Sequence, residues 1–265
     1  MSEEDRLWGA LGERLDRAEA AGGAAFWLRD DDAVAPTARL DRLIAIAADH
    51  AVPLALAVIP AKAQPALAER LAGEAGVTVL QHGFAHDDHS APGSKKCELG
   101  SDRPIEAMLA ELESGRERLS IFPNVAPMLV PPWNRIAPAL VRHLPSIGTR
   151  ALSTFGARAS SHGAAGLLVV NTHVDPVDWR STRGFVGGPA CLRALILRLD
   201  AVLSGAVDAE EPTGLLTHHL VHDAETLAFL AQLLDFTAKH GGARWLSAST
   251  LLGHSGNTGS GDGAA

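Results

Sequence analysis

At 265 residues, 46% hydrophobic and 20% charged, the chain suits one large α/β domain with a full core and is too apolar for a disordered protein. A formal charge of −8 and a pI near 5.8 argue against nucleic acid or an anionic membrane as partner and favour a neutral or cationic small molecule or glycan. Cys97 and Cys191 are too few for a disulfide framework or a thiolate zinc site; Met1 to Arg6 has no signal-peptide core, and no apolar run nears the ~18 residues of a membrane span. The expectation is a cytoplasmic protein with both thiols reduced.

Leu7, Trp8, Leu11 and Leu15 recur at helical spacing, predicting an amphipathic helix over about 5–20 on the floor of the domain, stopped by Gly22-Gly23. A strand follows at 24–30, then a helix from Thr37 with Leu40, Leu43, Ile44 and Ala47 on one face. Pro53 to Pro60 is continuously apolar, as expected of a parallel strand covered on both faces. A helix near 65–74 leads to a strand at 77–80, and 87–102 shows no period and reads as a long loop. The pattern then gives a helix near 104–119, a strand at 126–130 and a short helix around 137–144. Strands at 151–155 and 167–172 follow, then a helix opened by Pro189 and a strand at 213–217. A helix over about 223–239 capped by Asp223 and a strand at 243–246 complete the domain, 1–252, and the Gly/Ser-rich tail 253–265 reads as disordered.

Seven or eight strands alternate with helices, and each polar cluster falls where a strand ends, the pattern of an α/β barrel with its chemistry at the carboxyl ends of the strands. Phe26-Trp27-Leu28-Arg29 runs into Asp30, Asp31 and Asp32, three acids that repel one another unless a positive group sits among them. A metal ion answers that need. His82 and His86, four apart at the end of the third strand, are its natural partners, because two imidazoles and a carboxylate leave a coordination position open. The plainer alternatives are acids that cap the following helix and a surface histidine pair.

In their order along the chain, over about residues 24–250, these clusters resemble the polysaccharide deacetylase family. The resemblance implies a distorted (β/α)7-8 barrel of the NodB type and a metal-dependent hydrolase that removes acetyl groups from amino sugars. Arg29-Asp30-Asp31-Asp32 is similar to the first motif, implying Asp31 as catalytic base and Asp32 as metal ligand, with Asp30 and Asp31 as the alternative register. His82-Gly83-Phe84-Ala85-His86 is similar to the second, implying both histidines as ligands, with His89 a further ligand or substrate contact. Val130-Pro131-Pro132-Trp133-Asn134 resembles the third motif, in which Trp133 takes the aromatic place and offers a backbone N–H to an oxyanion. Val130 falls where the family has an arginine paired with the base, and Arg29 or Arg135 is the candidate replacement. Asp175-Pro176-Val177-Asp178-Trp179 is similar to the fourth motif, and Leu216-Thr217-His218 to the fifth, implying His218 as general acid supported by Asp175 or Asp178. Adjacent strand residues face opposite ways, so only one of His218 and His219 enters the barrel, and His218 is the choice.

Substrate contacts expected on this reading are Trp133, Asn134, Arg135, Asp175, Asp178, Trp179 and His89; the metal is zinc, with cobalt or nickel as alternatives. Two further readings keep the scaffold: hydrolysis of another carbon–nitrogen bond, such as a cyclic amide, and an inactive sugar-binding barrel. A metal-free aldolase-like barrel would need a strand-end lysine, and Lys62, Lys95, Lys96 and Lys239 supply none cleanly.

Overall fold

The computed structural model describes residues 1–254. Its central strand is β1 (Ala24–Ala33), flanked by β2 (Leu54–Val58), β7 (Thr213–Thr217) and β8 (Ala243–Trp245), all in parallel. From β2 the sheet continues through β3 (Val77–His82), β4 (Val125–Val130), β5 (Ala151–Leu152) and β6 (Leu168–Val169), again all parallel. The stretch after β6 closes the curl. Val174 bridges Leu215 of β7, and the Leu216 N–H donates to the Val174 carbonyl at 2.8 Å. The architecture is therefore a distorted parallel α/β barrel, as the alternation of elements predicts.

Alternation along β1 decides what faces where. Trp27 points inward and is buried with Ala55, Ala57, Leu80, Met128 and Val130, whereas Phe26 and Leu28 point outward into the layer shared with the helices. The indole N–H donates to the Asn171 carbonyl at 3.0 Å, which satisfies the one polar atom this large ring brings into the core. Opposite it in register stands Gly214, where a Cβ would lie 2.5 Å from the indole nitrogen and 2.6 Å from that carbonyl. The close approach of β7 to the Trp27 ring therefore requires glycine.

The outer layer comprises α1 (Glu3–Ala20), α2 (Ala38–Asp49), α3 (Pro65–Leu71), α4 (Ile105–Leu119), α5 (Pro138–Val141), α6 (Gly188–Leu203) and α7 (Ala224–Ala238). Side-chain caps begin three of them: Ser2 in a capping box with Asp5, Thr37 accepting from Leu40 N–H, and Asp223 accepting from Thr226 N–H. Among the described residues, no helix is long and apolar enough to cross a membrane.

Three expectations need adjustment. The amphipathic α1 lies on the outside, with Trp8 against Phe229 and Phe236 at 6.0 and 5.2 Å between ring centroids, and does not cross the floor. The floor is reached by α8 (Ala248–His254), whose Leu251 and Leu252 join the interior cluster and whose adjacent leucines show no readable period. This helix takes in the first two residues of the expected tail, and 255–265 lie outside the described residues. Finally, β5 and β6 pair over two residues each, because the Asn171 side chain then takes over the ladder. Its amide oxygen accepts the Thr154 N–H at 2.8 Å and its NH2 donates to the Gly156 carbonyl at 2.8 Å.

Candidate active site

Alternation carries Trp27, Arg29 and Asp31 to the barrel interior and sends Asp30 to the opposite face. Asp32 escapes the pattern. Its φ of +74° is left-handed, a conformation that β1 adopts at its very end and that swings the carboxylate toward β3. There Asp32 Oδ1 lies 3.1 Å from His82 Nε2 and 3.2 Å from His86 Nε2. His82 sits on the last position of β3, and His86 on the loop just beyond it with a φ of +56°.

Three potential ligand atoms from Asp32, His82 and His86 all lie within 4.8 Å of one another. His82 Nδ1 donates to the Val130 carbonyl at 3.0 Å, so in the neutral ring Nε2 carries a lone pair aimed at Asp32 Oδ1. Two acceptors facing at that distance need a proton or a cation between them. Burial pushes the Asp32 carboxyl up, but the hydrogen bonds and charges of His82 and His86 outweigh it and hold the group well below the usual carboxylate range. Burial pushes His82 down, and the nearby Asp31 and Asp32 more than reverse it. The donor set and its electrostatics fit a divalent cation.

Asp31 stands next to this cluster, 2% exposed, and is gripped by Arg29 from its own strand. Arg29 Nη2 donates to Asp31 Oδ2 at 3.0 Å, and Nε lies 2.9 Å from Oδ1 as an ion pair whose N–H is not aligned for a second hydrogen bond. The remaining guanidinium N–H groups donate to Ser153 Oγ at 2.6 Å and Asn134 Oδ1 at 2.7 Å. The ion pair that Val130 cannot make is thus made by Arg29, two residues before the acid. Arg135 is turned elsewhere, donating to the Lys96 carbonyl at 2.8 Å.

The third acid has a different partner. Asp30 is fully buried and accepts from Thr217 Oγ1 at 2.8 Å, from the His219 N–H at 2.8 Å and from His219 Nδ1 at 2.5 Å. This pair lies behind the sheet and ties the end of β1 to the end of β7. It leaves His218 facing the opposite way, with Nδ1 3.8 Å from Asp175 Oδ2 and the ring edge-on to Trp179 at 4.6 Å. Trp179 Nε1 in turn donates to Asp175 Oδ2 at 2.7 Å. Burial pushes the Asp175 carboxyl above its ordinary value despite the His218 charge and that N–H. Behind His218, His222 Nε2 accepts the His218 N–H at 3.1 Å, and burial pushes His222 down to about 4, so it is a neutral acceptor near pH 7.

Burial pushes Asp30 up and His219 down, yet their mutual charge and hydrogen bond win on both sides, lowering the acid and raising the base. The acid's contribution to stability is present above ~3.9, its unfolded value, and lost as pH falls through the lower folded one. The imidazole's contribution is complete below ~6.5 and is lost as pH rises through the higher folded value. The difference in unfolding free energy between the protein and His219→Asn, followed by urea denaturation, should therefore be largest between those limits and shrink above pH 7. A difference that stays flat to pH 9 contradicts this.

Of the remaining expected contacts, Trp133 packs on His86 at 4.3 Å between ring centroids, lifted into place by left-handed backbone at Trp133 and Asn134, both with φ of +55°. Asn134 spends its amide oxygen on Arg29. Asp178 is a turn former, with its carboxylate taken by the Ser181 hydroxyl and by the Arg180 and Ser181 N–H groups at 3.0 and 3.1 Å; the acid beside His218 is Asp175. His89 is exposed, outside the group that converges on Asp32, because the chain turns away after His86. The sequence reading missed Glu98, which is buried and receives three N–H groups from the loop carrying His86. A lone acid in an aperiodic loop gives no signal of that.

No sequence-family profile matches the chain, and no curated protein matches it in sequence. Solved structures do match in fold. A candidate polysaccharide deacetylase from Mycobacterium smegmatis superposes with a TM-score of 0.63 at 16% identity, over 88% of this chain and 90% of that one. The peptidoglycan deacetylase PdaC from Bacillus subtilis gives 0.52 at 16%, over 86% and 90%. A family 4 acetyl xylan esterase from Clostridium thermocellum, solved with a cobalt ion, gives 0.50 at 12%, over 87% and 91%. The fold is that of the polysaccharide deacetylases, shared along nearly the whole chain.

Proposed function

We propose that the protein is a divergent polysaccharide deacetylase, a metal-dependent hydrolase that removes the N-acetyl or a related acyl group from an amino sugar. The observation that carries this reading is the convergence of Asp32, His82 and His86 beside an acid, Asp31, that lies outside that group and is held by Arg29. The fold likeness to a peptidoglycan deacetylase and to an acetyl xylan esterase solved with cobalt supports the reaction class and a divalent cation, for which zinc is the first candidate and cobalt or nickel the alternatives.

Hydrolysis of an acetamide needs a nucleophile, a place for negative charge on the carbonyl oxygen and a proton for the departing nitrogen. A divalent cation held by Asp32, His82 and His86 would supply Lewis-acid polarisation of the carbonyl and acidification of water. Asp31 takes the proton of the attacking water, its Oδ2 held by an Arg29 N–H and its Oδ1 paired in charge with Arg29 but left without a hydrogen-bond donor. Trp133 forms one wall, its backbone N–H the candidate donor to the oxyanion, and Trp179 forms the other. His218 protonates the leaving amine, with Asp175 supporting its charge and Trp179 limiting its rotation. A candidate base at the end of β1 and a candidate acid at the end of β7 are more than ligand binding requires, which favours turnover over a sugar-binding barrel.

The test is metal-reconstituted protein offered N-acetylated amino sugars, acetylated xylan fragments and cyclic amides, with release of acetate or ring opening as readout. Acetate from an N-acetyl sugar supports the proposal. Turnover of the cyclic amides alone would move the protein to the neighbouring carbon–nitrogen hydrolase reading, and one metal per chain with no turnover of any of the three would favour the binding barrel.

A further inference from the structure

The loop that delivers His86 leaves β3 through two left-handed residues, Gly83 at φ +55° and His86 at φ +56°. A non-glycine residue in that region is costly and persists only where its surroundings enforce it. Here the enforcement is visible. The N–H groups of Phe84, Ala85 and His86 donate to one carboxylate, that of Glu98, at 3.1, 2.6 and 2.9 Å. Glu98 is 1% exposed, and among the described residues no lysine or arginine forms an ion pair with it. Successive backbone N–H groups turned to one side form an anion cradle, and here the protein fills the cradle with its own acid.

The fit is close enough to fix a neighbouring residue. A Cβ on Gly83 would lie 1.9 Å from Glu98 Oε2 and 2.6 Å from Pro132, so the loop can wrap the carboxylate only with glycine there. Glu98 is anchored from behind, since Leu99 is fully buried, bridges Ile136 and accepts the Ala137 N–H at 2.8 Å. The carboxylate therefore joins the His86 loop to the wall that carries Trp133. His82 needs no such help, because it lies within β3 and its ring is set by the Val130 carbonyl.

We infer that Glu98 is a positioning residue for the metal site, holding the 83–86 backbone in the one shape that aims His86 Nε2 at Asp32. This rests on the metal reading of Asp32, His82 and His86. Losing a group that braces a ligand costs ~10–100-fold in metal affinity. Glu98→Ala should weaken Zn2+ or Co2+ binding by that factor in competition titrations of metal-free protein. The visible spectrum of its cobalt form should shift toward that of His86→Ala. Glu98→Gln should fall between, since its amide keeps one acceptor oxygen but presents an NH2 to a third N–H. A purely structural role would lower the melting temperature of the metal-free protein and leave affinity and spectrum alone.

The inference is overturned if folded Glu98→Ala, or Glu98→Gln should the alanine variant not fold, binds cobalt within threefold of the parent with an unchanged spectrum. Parent protein that binds neither metal would overturn the site reading itself and this inference with it, an outcome visible before any variant is made.

Discussion

Replacing Asp31 with asparagine is expected to lower kcat by about 10²–10⁴-fold while leaving one metal bound per chain. The two effects separate because Asp31 is outside the group that converges on Asp32, although it is close enough to raise the His82 imidazole. An asparagine of the same shape cannot accept a proton from water. It also leaves the buried Arg29 guanidinium without its anion, and losing one partner of such a pair costs ~3–5 kcal/mol of stability, so rates belong at temperatures where the variant is folded. Ser153 and Asn134 still hold two N–H groups of Arg29, which limits the disturbance. Turnover per metal within threefold of the parent would remove Asp31 from the role of base.

The second large effect is expected at Asp32. One of its oxygens meets both imidazoles, so on the proposed metal reading Asp32→Ala removes a ligand and the anion that organises the other two. Zinc affinity, measured by competition with a chelator, should fall by well over the ~10–100-fold attributed to losing a bracing group, and hydrolysis should fall with it. The left-handed backbone at Asp32 sharpens the expectation, because alanine tolerates φ +74° less well than aspartate and the end of β1 would relax away from His82. Unchanged zinc binding would place the metal elsewhere.

Much of the barrel was legible because its signals are periodic or positional. Apolar runs bounded by glycine and proline mark β1 to β4 within a few residues, and the polar clusters fall at their ends. The pairing of Asp31 with Arg29 is also a sequence property: residues two apart on a strand share a face, so a cation at 29 meets the acid at 31 and leaves Asp30 to the other side. The same rule applied to β7 separates His218 from His219. What alternation cannot show is where it stops. Asp32 reaches His82 because its backbone leaves the β region, and no property of an aspartate after two aspartates announces that. Asn171 substitutes side chain for ladder, and Glu98 acts through backbone N–H groups, which are the same in every sequence. Asp178 shows a further limit, because an Asp-x-x-Asp-Trp spacing serves a turn as well as a site.

The central claim is that an acid from β1 and two imidazoles from β3 and its loop hold one cation. Anomalous diffraction at the zinc edge, on crystals of the zinc-loaded protein, addresses it most directly. The account predicts one strong peak between Asp32 Oδ1, His82 Nε2 and His86 Nε2. Zinc bound at full occupancy with its peak away from these three atoms would contradict it.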